Sequence, residues 1–487
     1  MKKVMIFVCA VAAVVILASC TTGSDDTPEI EVIPEYIGDV ITYPWPDGMT
    51  KYPGITMRAD GNNIDLYSVR ANNRYFWSTN AQNNSDKIPV GMFDMDGTVY
   101  ISITLPVTPS DVIIRPLGKD ITPVLYSKKI TFTITEPGQY SVEYNNTGNP
   151  KNAVLIFANP IEDFSEMETD ANTIIYESGI YQSDIAIQVN NGKTLYLKPG
   201  AVIRGPVVMY SNSKIKGRGI IDGSHLQDHI KGIDEVVLPI ETFNRSNLEI
   251  SGITIFDPNA WAVQLQNSSN IIVDNLKILS SRCNSDGISI QSSNSITIQN
   301  CFLRTWDDSV VIKNYGQLDS YDITVKNCVF WTDLAQTMEI GFETNKGKKS
   351  DPKIHNVLFE DILIFHAMHK APVSIHNGDN AEIYDITFRN IIVEDYQSGN
   401  GDGWNYLIDI SNLRDSNWTM VQDRGSIHDV LVENVSILSG KNPGARFNSS
   451  QGGSIYDVTV RDIYRDTTKL DFSDKVGAGT NTTVTFE

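Results

Sequence analysis

The sequence predicts an all-β protein, an N-terminal β-sandwich followed by a right-handed parallel β-helix. Three observations carry this reading. Short alternating strands separated by turn residues fill the first third of the chain. From about residue 170 a unit of strand, Asn/Asp/Gly bend and second strand recurs. Between about residues 31 and 164 no apolar pattern of helical period runs longer than two turns. The chain has 487 residues, 41% of them hydrophobic and 20% charged, which suffices for two or three domains with a large core. A formal net charge of −20 argues against nucleic acid and anionic lipid headgroups as partners.

Residues 1–19 read as a targeting segment. Lys2 and Lys3 are basic, and the apolar stretch Val4 to Leu17 is too short for a stable membrane span. Leu17-Ala18-Ser19-Cys20 resembles a bacterial lipobox, which implies cleavage before Cys20 and lipidation of that cysteine. Residues 20–30, polar and acidic, read as a tether. The expectation is an exported outer-membrane lipoprotein, on the periplasmic or cell-surface face, held to the membrane by its lipid alone.

Residues 31–165 are assigned to the sandwich, on runs such as Val99 to Leu105, Asp111 to Arg115, Lys129 to Ile134 and Asn152 to Phe157, with Pro106, Pro109, Pro116 and Pro137-Gly138 between them. Residues 170–487 are assigned to the β-helix. Its bend markers are Gly217, Gly252, Asn275, Asn300, Asn327, Asp361, Asn390, Asn434 and Asp462, spaced 23 to 44 residues apart. β-branched strands with Asn at the bends, and no helix between them, select a β-helix over leucine-rich or α-helical repeats. Asn and Asp suit such bends because they tolerate left-handed backbone. Cys283, Cys301 and Cys328 have no metal-ligand spacing and read as small packing residues.

Repeats align the chain with itself. Trp261 to Gln266 stacks on Asp286 to Gln291, then Asp308 to Lys313, Gln336 to Gly341 and Ala371 to His376. The inward positions agree: Val263/Leu265, Ile288/Ile290, Val310/Ile312, Met338/Ile340 and Val373/Ile375. This register sets Asp286 against Asp308, with Asp307 one residue earlier. Three converging carboxylates repel, so at least one pKa should rise. The chemistry that uses such a cluster is glycoside hydrolysis, one carboxyl donating a proton and another activating water. Inversion needs the groups roughly 6.5–9.5 Å apart and direct attack roughly 5–5.5 Å; register alone leaves both open. The bland reading, Asp as ordinary turn residues, fits Asp222-Gly223 and Asp402-Gly403 better than it fits this cluster.

Asn284-Ser285-Asp286-Gly287 and Trp306-Asp307-Asp308, with Lys313 following, resemble the signature of two related β-helix glycosidase families, family 28 (polygalacturonases) and family 49 (dextranases and isopullulanases). Leu195 to Gly205 and Gly217 to Gly223 resemble that clan's early coils. The Gly-His-Gly and Arg-Ile-Lys of polygalacturonases are missing; Met338 to Glu343 stands where the first is expected. A preceding sandwich is a family 49 trait. The resemblance implies inversion, no metal or cofactor, Asp307 as general acid, and Asp286 and Asp308 as the pair that activates water. Lys313, Trp261, Trp306, Glu339, Tyr315 and His376 are candidates for binding sugar. His366 and His369 read as loop residues. The expected substrate is a neutral α-glucan such as dextran. The alternatives are a pectin-type hydrolase, a Ca²⁺-dependent lyase whose unsaturated product absorbs in the ultraviolet, and a glycan-binding protein without catalysis.

Overall fold

The computed structural model describes residues 38–72, 86–145, 152–227, 236–399, 404–413, 418–450, 452–477 and 481–487. The targeting segment, the tether and Cys20 lie outside them.

Two sheets form the sandwich. The six-stranded one contains Asp39–Thr42, Leu66–Arg70, Lys87–Asp96, Val112–Arg115, Gly138–Tyr144 and Ala153–Pro160. The five-stranded one contains Thr56–Ala59, Asn62–Ile64, Val99–Thr104, Val124–Tyr126 and Lys129–Ile134. Lys129–Ile134 alternates half-buried and buried positions, as a strand with one face on a core must. Ala153–Pro160 is buried on both faces. Val154, Ile156 and Ala158 fill the sandwich core, while Ala153, Leu155 and Phe157 point the other way, onto the β-helix.

The β-helix is built from a ten-stranded parallel sheet and a 20-stranded sheet that is parallel except where Thr468–Lys469 folds back on Ser454–Arg465. The ten-stranded sheet stacks Ile187–Val189, Val207–Met209, Ile240–Phe243, Val263–Gln266, Ile288–Gln291, Val310–Lys313, Met338–Phe342, Val373–Asn377, Tyr406–Asn412 and Gly444–Asn448. Its pairings run Val263 to Ile288 to Val310 to Met338 to Val373, and Leu265 to Ile290 to Ile312 to Ile340 to Ile375. This is the register read from the sequence. These ten side chains are fully buried inside the solenoid.

The nine bend markers all carry positive φ, from 51° at Asn327 to 117° at Gly217. Their amides also bond from coil to coil. Asn390 Nδ2 donates to Asp361 Oδ1 (2.9 Å), and Asn434 Nδ2 donates to Asn390 Oδ1 (2.8 Å). Asn thus supplies both the left-handed turn and the inter-coil bond. A second ladder stacks the rings of Tyr321, His355, Tyr384, His428 and Tyr456, with centroids 4.7–5.4 Å apart and planes within 8°.

The sandwich lies along the solenoid. Tyr67, Val69, Ile88, Val90, Met92, Leu155 and Phe157 pack on Val202, Ile220, Phe256, Leu279, Phe302, Trp331 and Phe365. Buried ion pairs frame this contact: Arg218 with Asp94 (3.0 Å), and Arg115 with both Glu143 and Glu394 (2.8 Å each). His366 corrects its expected loop placement. It lies on the strand Lys353–Ala367, fully buried, with Nε2 on Glu143 of the sandwich (2.9 Å) and Nδ1 on Asp395 (2.8 Å). The strand runs unbroken through the Asp361 bend to Ala367, so His366 continues the ladder, paired with Asp395 of the next coil, instead of leaving it. Cys283, Cys301 and Cys328 are buried free thiols.

The bends make a direct test. Asn390 sits at φ 55° on the surface. Asn390→Val forces a β-branched residue into that conformation and should lower the unfolding free energy by about 1–2 kcal/mol in urea titrations. Asn390→Gly keeps the conformation and should lower it less. Equal losses would mean that the turn does not set the stability here.

Candidate active site

The acids stand on the outer face of the ten-stranded sheet, at the turns that enter two adjacent strands. Gly287 N–H donates to the Asp308 carbonyl (2.8 Å), which fixes Asp286 and Asp308 on neighbouring coils. Asp307 is held by two backbone donors, Asn284 N–H to Oδ2 and Asp308 N–H to Oδ1, each 3.0 Å. Asp308 Oδ1 accepts from Gln336 N–H (3.1 Å) on the next coil. Asp286 and Asp308 are buried and Asp307 is partly so.

Burial raises all three carboxyls above the usual range. Asp286 is pushed to about 7, with the neighbouring Asp307 and Glu343 carboxylates adding to the rise and Lys313 opposing it. Asp307 is raised by burial against the opposing pull of Lys313 and two backbone N–H donors. Asp308 is raised furthest, by burial and by Asp307 and Asp286 together. The cluster therefore holds a proton at neutral pH, which a general acid requires.

Lys313 is buried rather than solvated. Its Nζ lies 3.5 Å from Asp286 Oδ2 and 3.4 Å from Glu343 Oε2. Its register partner is Gln291 on the coil below. Tyr315 donates from its hydroxyl to Glu343 Oε1 (2.5 Å), and the Lys346 ammonium lies 4.0 Å from the Tyr315 ring centre. Trp261, half-buried one coil below Asp286, has Lys313 Nζ 6.0 Å from its ring centre.

A second charged group follows on the next coils. His376 is buried, with Nδ1 2.8 Å from Glu339 Oε1 and Nε2 3.0 Å from Asp409 Oδ2. Both ring nitrogens face carboxylates, so both are donors and the ring is an imidazolium. Burial opposes its charge, but Glu339 and Asp409 outweigh burial and lift its pKa to about 10. His376 and Arg446 in turn hold Asp409 at about 2 against burial. Ser374 donates to Glu339, and Phe342 stacks on His376 at 4.4 Å. Arg446 grips Asp409 through Nε (2.8 Å) and Nη2 (2.6 Å).

Asp286, Asp307, Asp308, Lys313, Glu339, Tyr315, His376 and Trp261 thus share one face. Trp306 does not. It is wholly buried and packs with Cys283 and Leu334 beneath the turn, so it offers no ring face to a sugar. The turn that aims Asp307 outward leaves residue 306 inside. Glu343, Asp409 and Arg446 were missed by the sequence reading. Extending the self-alignment one coil, to Leu407 through Asn412, would have set Asp409 beside Ser374.

The comparisons with known proteins bear on the family and the fold. The sequence profile "Glycosyl hydrolases family 28" matches residues 182–469. The isopullulanase of Aspergillus niger is 23% identical over 465 aligned residues, covering 81% of this chain and 78% of that protein. That share of the chain exceeds what the β-helix alone supplies. A probable polygalacturonase of Vitis vinifera is 22% identical over 231 residues, 45% of each chain, so this match spans less than half of that protein. Dex49A from Penicillium minioluteum shares the fold, with a TM-score of 0.62 and 14% identity over 91% of this chain and 96% of that one. The family profile covers more than half of the sequence, and the chain belongs to glycosyl hydrolases family 28.

Proposed function

We propose that this glycoside hydrolase is an exported, lipid-anchored enzyme that cleaves a neutral α-glucan with inversion. The observation that carries the reaction is the convergence of Asp286, Asp307 and Asp308 on one outer face. In this reading Asp307 donates its proton to the glycosidic oxygen as the bond to the anomeric carbon breaks. Asp286 and Asp308 hold the water between them, and whichever of the pair is ionised takes one proton from it as its oxygen attacks that carbon from the opposite face of the ring. The two backbone N–H groups on Asp307 orient its carboxyl toward the substrate. Anchoring through Cys20 rests on the resemblance of residues 17–20 to a lipobox.

Charge supports a neutral sugar. A uronate carboxylate needs a cation to receive it. Among the described residues of this face, Lys313 and Lys346 lie against Glu343, His376 lies between Glu339 and Asp409, and Arg446 is bidentate to Asp409. Six carboxyl groups face these four cations. The isopullulanase match, which runs beyond the β-helix, points the same way. A polygalacturonase-type activity is the second reading, favoured by the family profile.

New reducing ends released from dextran, pullulan and polygalacturonate, with ultraviolet absorbance followed in parallel, separate the readings. Activity on a neutral glucan without absorbance is expected. Activity on polygalacturonate alone would overturn the neutral reading. Asp307→Asn should lower kcat at least about 100-fold with unchanged circular dichroism; unchanged turnover would remove Asp307 from the mechanism.

Stability should follow pH through the same cluster. The folded protein holds a proton on Asp286 up to about pH 7, whereas an unfolded aspartate releases it near pH ~3.9. The folded state binds more protons across that window, so stability falls as pH rises through it. Asp286→Asn removes this slope. In thermal melts its Tm, relative to wild type, should be higher at pH 8 than at pH 4; the reverse order would contradict the raised pKa.

A further inference from the structure

On the outer face of the ten-stranded sheet, side chains fall in columns along the solenoid. One column runs Glu339, Ser374, Asp409, Arg446. Arg446 ends it with its guanidinium locked on Asp409, and the same guanidinium lies 4.1 Å from the ring centre of Trp404. Tyr406 braces that ring edge-on at 6.0 Å, and the Lys370 ammonium lies 5.7 Å from its centre. Trp404 is therefore backed by a guanidinium that is itself held on Asp409. Yet it is 53% exposed, and it is the only exposed tryptophan among the described residues.

The part of the indole left open to water makes no contact with the fold. It is a stacking platform for a ring that presents C–H groups on one face, as a pyranose does. Trp404 precedes the strand Tyr406–Asn412, three coils beyond the strand that Asp308 enters. At roughly 4.8 Å per coil this is roughly 14 Å, farther than the sugar ring held at the acids extends. Trp261 lies one coil to the other side of Asp286. The two tryptophans bracket the acid cluster along the solenoid axis.

We infer that Trp404, backed by Arg446, is a distal sugar subsite that holds the polysaccharide chain three coils from the bond being cleaved. The inference rests on the assignment of the acid cluster as the reaction centre. It gives the enzyme a preference for long chains over short ones.

The test uses the full chain. Trp404→Ala and Trp404→Phe are assayed on high-molecular-weight dextran and on isomaltotriose, or on polygalacturonate and trigalacturonate if the enzyme cleaves only those. Trp404→Ala should lower kcat/KM on the polymer roughly fivefold to tenfold through KM, and on the trisaccharide less than twofold. Trp404→Phe should restore most of the polymer value. Equal losses on both lengths would mean a structural role and overturn the inference, as would an unchanged polymer KM. Polymer affinity in native gels, compared between Asp307→Asn and Asp307→Asn/Trp404→Ala, tests the subsite without turnover. Retained turnover in Asp307→Asn refutes the reaction-centre assignment, whereas equal gel mobility of the two proteins refutes the subsite.

Discussion

The parallel register of the ten-stranded sheet is the constraint on which the active face depends. Side chains alternate across a strand, so Val310 and Ile312 inside require Val311 and Lys313 outside. A slip of one residue would carry Lys313 into the apolar core and Ile312 into the groove. The stacked Ile, Val and Met side chains forbid that slip on every coil at once. The geometry of the acids follows from the packing of residues that never touch substrate.

The electrostatic character of the face is built on the same columns. The coils from Asp286 to Arg446 contribute outward charges, and parallel pairing sets neighbouring coils about 4.8 Å apart. At that spacing charges must be paired or neutralised. Two outcomes appear side by side. Glu339, His376, Asp409 and Arg446 alternate acid and base, each in contact with its opposite. Asp286, Asp307 and Asp308 share one cation, Lys313, and their carboxyls are raised above the usual range instead. The first arrangement fixes a shape, and the second stores a transferable proton.

Most of the solenoid was legible in the sequence because its rules are local. Asn and Asp at bends, and apolar residues at alternate positions, repeat from Val263 to Ile375 and define the register without any distant contact. The register also brought Asp286 and Asp308 together. What escaped depends on non-local facts. Glu343 sits past the end of its strand, where the repeat no longer constrains position, and meets Lys313 through a turn. Asp409 lies beyond a coil lengthened by insertion, where the self-alignment was not continued. Trp306 shares a turn with two outward acids, and a turn, unlike a strand, has no fixed alternation to say which way it points. His366 is held between Asp395 of the next coil and Glu143, more than 200 residues away on the sandwich.

A solenoid alone is nearly one-dimensional, with each coil stabilised by its two neighbours and free to fray from either end. The sandwich changes that. Val202, Ile220, Phe256, Leu279, Phe302, Trp331 and Phe365 stand on seven consecutive coils, and all seven pack against the same small group of sandwich side chains. A contact laid across the coils couples them as a splint couples vertebrae. Opening any one of the seven exposes part of a core shared by the others. The coils that present the acids belong to this splinted stretch, so their opening is coupled across it, whereas beyond Phe365 the sandwich holds the solenoid through the Arg115–Glu394 ion pair instead of a shared apolar core.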